Sequence, residues 1–592
     1  MVSYQNAEVG GATGRSTADD YEQGATTLGS GLVIDVDRHS VRAVLFDTVG
    51  GHGRFVTASV CASTVLPPIA DPSTAIRQAI RAVEQDTGMT LLGDHGVQSP
   101  RQDHSGADFI ALTGQPAPPV RLAFVPIGNS ALATTLVAAA RRTVSIVNIF
   151  DSNVRTDDGT LSGSMLESSI RAFQPDAVVI LDGDNTQSEW ATAVGTLSSL
   201  SAEGTINQII IVARDQYQQQ AAQTMGEDAD LRGIDPGEFS PADIAAAIEL
   251  ELHSLYEARV DAPSMIASDQ SVTVVGRARA GDLVTQFLAR RREQTVTVVT
   301  VGDGTIIHSA SPDSSLIGMR PEVDAHANIR SALRRDARHF LRWLPFSMSE
   351  EELNHWILNR ALRPSTMSDT PRDRLIESAV VTEALRLVWE DLAPTEQRHH
   401  DLIVGGALFA TWDSPGLALL SILNALEPKP ESGLVEVALD LDGLFHAAGA
   451  IGELSPALAA DVVERDLLLP LASVIVVNGD VKEGDLAVRG TIASERGGSR
   501  EFSVPSGSIH QLDLGADETA IVTINCEPLA TVGNSEPGAE VVLGQNTRLR
   551  GGDLGIVIDA RGRAPGPATD PSVQAARMSN WLSDLNAKEI AG

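Results

Sequence analysis

The feature that most constrains the fold is a theme stated twice. Residues 31–47, GLVIDVDRHSVRAVLFD, run as an apolar strand, a polar turn and a second apolar strand, with Asp35 near the end of the first run. From Gln294, QTVTVVTVGDGTIIHSA repeats the pattern, with Gly302, Asp303, Gly304 and Thr305 in the turn. Short β-branched runs around a compact polar turn specify a β-hairpin. The chain therefore carries two hairpins of one build, far apart in sequence.

Between them the rhythm is different. VRLAFVPIG, TVSIVNIF, DAVVILDGD and INQIIIVA are short apolar runs separated by the helical patterns SALATTLVAAARR, LESSIRAF and SEWATAVGTLSSL. Apolar strands alternating with helices predict a parallel sheet covered on both faces, which places an inserted, doubly wound Rossmann-like domain over 115–265. After the second hairpin come helical stretches, then DLIVGGALFA, a buried strand ending on the pair Gly405–Gly406. Beyond about residue 470, helical periodicity gives way to short strands punctuated by Gly, Asn and Asp, which predicts an all-β domain over 469–568. QAARMSNWLSDLNAKE then predicts a terminal helix within 569–592. The polar stretch 1–30 lacks an apolar core and is expected to be a disordered leader rather than a signal peptide.

Charge and cysteine content exclude several classes. With 78 acidic against 44 basic residues, the formal net charge is −34. Such a surface repels nucleic-acid phosphates and anionic lipid heads, so neither is an expected partner. Only Lys429, Lys482 and Lys588 are lysines, which removes a catalytic lysine from most of the chain. Cys61 and Cys526 cannot build a disulfide framework or a thiolate cluster, in keeping with a cytoplasmic location. No apolar run approaches the ~20 residues needed to cross a bilayer.

The two hairpins and the glycine pair form a constellation with a physical logic. Backbone N–H groups in a tight turn make a nest for phosphate oxygens. A strand-end aspartate orients Mg²⁺ through its water shell, and glycines serve where a Cβ would strike a nucleotide. In this order the elements resemble those of actin-like ATPases (the actin, Hsp70 and sugar-kinase superfamily). A narrower resemblance runs through LVIDVDRHSVRAVLFD, RQAIRAVEQDTGMTLL, RWLPFSMSEEELNHWILNRALRPST, DLIVGGALFATWDSPGLALLSILNALEP and GGDLGIVIDARGRAPG. Together these stretches are similar to the glutamate mutase MutL family, which is distinct from the DNA mismatch-repair protein of similar name.

The resemblance implies an α/β fold: a two-lobed actin-like core with lobes at 31–114 and 266–468, the insertion at 115–265, and the C-terminal β domain. It further implies ATP or ADP with Mg²⁺, weak ATPase activity at most, and a chaperone-like or reactivating role toward an adenosylcobalamin-dependent mutase. A second copy of the chain is left open as a further partner. Asp35 matches the metal-orienting aspartate of the first hairpin, and Ser40 and Arg42 match the hydroxyl and basic positions after the turn. Gly302, Asp303, Gly304 and Thr305 would hold phosphates, and Gly405–Gly406 would pass the adenosine.

Two positions depart from the family pattern. Asp37 stands where the turn normally has glycine, and Thr300 where the second hairpin would carry its aspartate. A carboxylate ~4 Å from a phosphate charge, at an effective dielectric near 20, costs on the order of 4 kcal/mol, or roughly three decades of affinity. Ordinary turn chemistry without a ligand is the alternative for Asp35, Asp37 and the glycine pair. A scaffold that kept the fold and lost the nucleotide is the alternative function, and a small-molecule kinase a third.

Other motifs carry less. Asp182 and Asp184 follow a parallel strand, where ligands bind in such sheets, but a polar Asx turn accounts for them as well. The D-x-H-x-x-G signature of a cobalamin-binding fold is absent. RHHD at 398–401 is read as a loop, and Asp559, Arg561 and Arg563 as a salt-bridged turn.

Overall fold

The computed structural model describes residues 29–586 apart from 66–67, 70, 95, 101–104, 115–119, 128–131, 142–144, 157, 183–186, 227–229, 237–239, 258, 261–265, 267, 269–270, 303, 321–335, 364–365, 367, 393–398, 546–547 and 563–569. The stretch read as a leader therefore lies almost wholly outside the described residues, as do Asp103, Asp184, Asp303, Arg398 and Arg563. The rest is mixed α/β and falls into two compact units: Ala117–Asp261, and Thr17–Pro116 together with Ala262–Gly592.

The larger unit contains two sheets with one plan. In the first, Gly31–Val36 pairs antiparallel with Ser40–Val49, which pairs antiparallel with His52–Ala62. On its other edge Gly31–Val36 runs parallel to Phe109–Gly114, and that strand parallel to Thr273–Val274. In the second, Val296–Val301, Thr305–Ser311 and Ser314–Arg320 form the antiparallel meander. Val296–Val301 then runs parallel to Leu402–Gly405, and Leu402–Gly405 parallel to Leu434–Leu439. Counted from its own first strand, each sheet has the order 3-2-1-4-5 with the same directions. The repeated hairpin of the sequence is the visible part of a repeated sheet.

The alternation of side chains along a strand decides what each sheet faces. Val33 on the first sheet and Val296 and Val298 on the second enter one shared core. Between them lie the helices Arg277–Arg292, contributing Ala280, Val284 and Leu288, and Phe445–Gly452, contributing Phe445, Ala448 and Ile451. These helices approach through small residues. A Cβ on Gly449 would stand 1.9 Å from the Ala280 carbonyl oxygen, and one on Gly281 would stand 2.3 Å from His308 Nε2.

The second sheet does not stop at its fifth strand. Leu469–Gly479 pairs antiparallel with Leu434–Leu439, and Ile556–Asp559 and Ile509–Leu512 continue outward. The first strands of the segment read as a separate β domain thus extend the second sheet. Period-2 alternation explains how: Val474 and Val476 join the core under the Pro371–Leu392 and Pro415–Leu426 helices. Ile475 and Val477 face the other way. They pack with Val488, Ile492, Val504, Val522 and Ile524 of a second β layer, ordered Gly498–Pro505, Leu486–Ser494, Thr519–Cys526, Glu540–Leu543. The helix Pro571–Asp584 docks by Met578, Trp581 and Leu582, with Trp581 Nε1 donating to the Gly507 carbonyl at 2.8 Å.

The unit Ala117–Asp261 has a fully parallel sheet in the order Ser145–Ile149, Val120–Pro126, Ala177–Leu181, Gln208–Val212, Asp230–Ile234. Numbered along the chain this is 2-1-3-4-5, a doubly wound arrangement. Its central strands are apolar throughout because helices cover both faces.

The helix crossing generates a stability prediction. Gly449→Ala drives a methyl group into backbone, with no flexible side chain to yield, and is expected to cost about 1–3 kcal/mol or more. Gly195→Ala, in the helix Gln187–Ala202 with nothing within 4 Å of the new Cβ, is expected to gain about 0.5–1 kcal/mol. Urea midpoints of the two variants against the parent check both signs.

Candidate functional site

Alternation also places the site. Asp35 and Asp37 follow Val33 at two-residue steps, so they emerge on the face of the first sheet that carries the shared core. Thr300 follows Val296 and Val298 in the same way on the second sheet. The two hairpins therefore turn corresponding residues, Asp35 and Thr300, toward the same side of the molecule.

Between them stands a residue not singled out from the sequence, Arg277. It opens the Arg277–Arg292 helix directly after Gly276, and its side chain is 7% exposed. Nη2 lies 2.6 Å from Asp35 Oδ1 and 2.7 Å from Asp37 Oδ1. Burial alone would lower the pKa of this guanidinium, but the charges of Asp35 and Asp37 outweigh it and hold the pKa above its ordinary value. The Nε–H of Arg277 is buried with no hydrogen-bond partner among the described residues. Gly302 completes the arrangement: a Cβ there would lie 3.9 Å from both Arg277 Nη1 and Asp37 Oδ2. Hence Asp37 points inward, and the first turn, the second turn and Arg277 meet at one place.

Glycine and backbone geometry fit the turns to this. Asp37 N–H donates to the Ser40 carbonyl at 2.8 Å, and Gly302 N–H to the Gly304 carbonyl at 2.9 Å. Gly114, on the strand parallel to Gly31–Val36, has φ +101°. Any Cβ there would meet the Val36 carbonyl at 2.3 Å and Asp35 Oδ1 at 2.6 Å. Thr305 is fully buried as the second strand begins.

The remaining sequence candidates lie elsewhere. Arg42, paired across from Asp35, sends Nη1 to the Asp442 backbone carbonyl, in the loop after Leu434–Leu439. Gly443 in that loop has φ +65°, and its missing Cβ leaves room for the guanidinium. The space beside Gly405 is bounded by Ile422, Leu439 and Phe409, and that beside Gly406 by Thr300 and Val299. The chain's own packing thus accounts for both glycines. Asp182 pairs with Arg214 at 3.1 Å. Asp559 and Arg561 form a buried bidentate pair that also ties in Asn424 at 2.7 Å, a structural turn. Among the described residues no group of three or more His, Cys, Asp and Glu could hold a metal ion, and no helix is long and apolar enough to cross a membrane.

Three further titratable groups of the same unit have shifted pKa values, and His446 among them feels the Arg277 charge. His446 is pushed well below its ordinary pKa by burial, then by the Arg277 charge and by His308. His308, fully buried, is held down to about 3 by burial. Both are therefore neutral. Asp440, 2% exposed, follows Leu434–Leu439 and accepts from the N–H groups of Leu444 at 2.7 Å and Phe445 at 2.9 Å. Burial raises its carboxyl to about 6, against the lowering effect of those N–H groups and of Arg42. Its strand-end position in VALDLDG parallels that of Asp35 in VIDVDR, which is the signal that could have found it.

Comparisons with known proteins are as follows. No protein-family model matches the chain, and no curated protein matches it. Solved structures do align. A carbohydrate kinase from Novosphingobium aromaticivorans shares 12% identity, over 75% of this chain and 94% of its own, at TM-score 0.27. A diol dehydratase-reactivating factor in nucleotide-free form shares 10%, over 72% and 99%, at TM-score 0.27. A Ppx/GppA family member from Aquifex aeolicus shares 10%, over 65% and 70%, at TM-score 0.19. At such scores the strand order and the site geometry have to carry the reading on their own.

Asp440 yields a pH prediction. Its folded pKa lies above the ordinary 3.8. Its contribution is therefore fully present below pH 3.8 and is lost as pH rises through about 6. The change is on the order of 3 kcal/mol. Asp440→Asn keeps an acceptor for the helix start without the charge. Relative to the parent, the variant should gain stability as pH rises from about 3 to about 7, about one pH unit either side of the titration range. Urea midpoints at the two pH values measure it.

Proposed function

We propose that the chain is a two-lobed, actin-like nucleotide-binding protein that serves as an accessory, chaperone-like or reactivating, to an adenosylcobalamin-dependent mutase. One observation carries the first half of this reading. Two sheets of identical order and direction each begin with a hairpin, and the two hairpin turns converge at Arg277 and Gly302. A ligand touching both turns contacts both lobes at once, so its binding can shift the balance between lobe arrangements and hence the affinity for a client. In this reading the phosphates lie across the turns at Asp37–Ser40 and Gly302–Thr305, beside Arg277. The choice of client rests on the sequence stretches similar to the glutamate mutase MutL family.

A non-catalytic scaffold is the second reading. The contact that favours it is the Arg277 guanidinium between Asp35 and Asp37, which satisfies both carboxylates from within the chain.

Calorimetric titration with ATP and ADP separates the two. Saturable heat is expected, and its absence at millimolar nucleotide would establish the scaffold. A pull-down from native lysate, with and without ATP, tests the client. A mutase subunit is expected, retained differently in the two conditions, and recovery of none in either would sink that role.

A further inference from the structure

An actin-like site is expected to recruit Mg²⁺ through its strand-end aspartate, and the residues here do not fit that ion. Mg²⁺ needs carboxylate oxygens turned toward its water shell. Asp35 Oδ1 and Asp37 Oδ1 are instead turned to Arg277 Nη2, at 2.6 and 2.7 Å. A divalent cation brought to this pair would sit against a guanidinium charge already in contact with both carboxylates. The second hairpin adds no carboxylate at the corresponding position, which is Thr300.

We infer that Arg277 stands in for the divalent cation, and that the site takes the phosphate groups of a nucleoside di- or triphosphate without metal. This rests on the nucleotide-binding reading above. Two observations support it. The guanidinium is anchored on one edge by the two carboxylates, which fixes a positive charge at the meeting point of the hairpins. Its Nη1 faces the Gly302 turn, with Gly302 offering no side chain to block the approach. With Nη2 held by the carboxylates, Nη1 is the donor left to face a ligand, and a guanidinium keeps its charge in a buried place where an ammonium readily loses it. An arginine buried at this place is suited to the task and is unnecessary where a metal does it.

The inference reverses the expected effect of Asp37. Where Mg²⁺ is recruited by the carboxylates, removing one weakens nucleotide binding. Where Arg277 replaces the metal, Asp37 remains paired with Arg277 but adds negative charge beside the phosphates, and removing that charge strengthens binding.

The test is calorimetric titration of the full chain with ATP, in excess MgCl₂ and in EDTA, for the parent and for Asp37→Asn. The parent is expected to bind with dissociation constants within about threefold of each other in the two buffers. Asp37→Asn is expected to bind more tightly in EDTA, by up to about a thousandfold. Manganese titrated into the parent, followed by the loss of its free paramagnetic signal, is expected to remain unbound at equimolar concentration; this readout needs no variant. Binding that requires Mg²⁺, weaker binding by Asp37→Asn, or manganese immobilised on the parent and released in Asp35→Asn would each overturn the inference and leave the nucleotide reading standing. No heat in either buffer would remove the nucleotide reading, and this inference with it.

Discussion

The contact on which the site depends is the ion triad of Arg277 with Asp35 and Asp37. Three charges are taken largely out of water at the rim of the core shared by the two sheets. Such burial is tolerated only when each charge is closely partnered, and removing one partner typically costs about 3–5 kcal/mol. The triad therefore constrains three backbone segments together: the end of Gly31–Val36, the turn that follows it, and the start of the Arg277–Arg292 helix. An arginine at a helix N-terminus is opposed by the helix dipole. The two aspartates offset this and at the same time supply the negative charge that a helix N-terminus favours.

What lets the triad sit there is small side chains. The helices Arg277–Arg292 and Phe445–Gly452 lie between the sheets, and their backbones approach at Ala280 and Gly449. Gly281 gives up its side chain to the His308 ring, and Gly443 to the Arg42 guanidinium. The same economy accounts for Gly405 and Gly406. A sequence argument that assigns a glycine to a ligand has to contend with a packed neighbour wanting the same space. Outward from this core, Leu469–Gly479 hands alternate residues to two cores, so the β-rich end of the chain is joined to the second sheet by shared strands.

Much of this was legible in the sequence because it follows from periodicity. The two hairpins, the alternating strands and helices of 120–257, and the helix of 571–584 are patterns of 2 or 3.6 residues, and local chemistry decides them. Continuity of the β-rich end with the second sheet was not legible. Val474 and Val476 read the same as Ile475 and Val477 until the partners on each face are known. Arg277 was missed for a related reason: in GRARAGDLV it is one of several arginines near a helix start, and nothing local separates it from Arg279, which reaches Glu453 at the surface. Asp37 was noticed as out of place, but its meaning depends on a guanidinium contributed from 240 residues later in the chain.

The asymmetry of the two hairpins is the remaining argument. A duplicated sheet could carry equivalent chemistry on both turns, and here it does not. Asp35 and Asp37 stand on one side and Thr300 on the other. Further round the rim, Asp440 is spent on the N–H groups of Leu444 and Phe445, and the Arg42 guanidinium on a backbone carbonyl of the Asp440–Gly443 loop. Asp440 and Arg42 are thus committed to holding the fold. A site so arranged offers a ligand the Nη1 side of Arg277, beside the Gly302 turn.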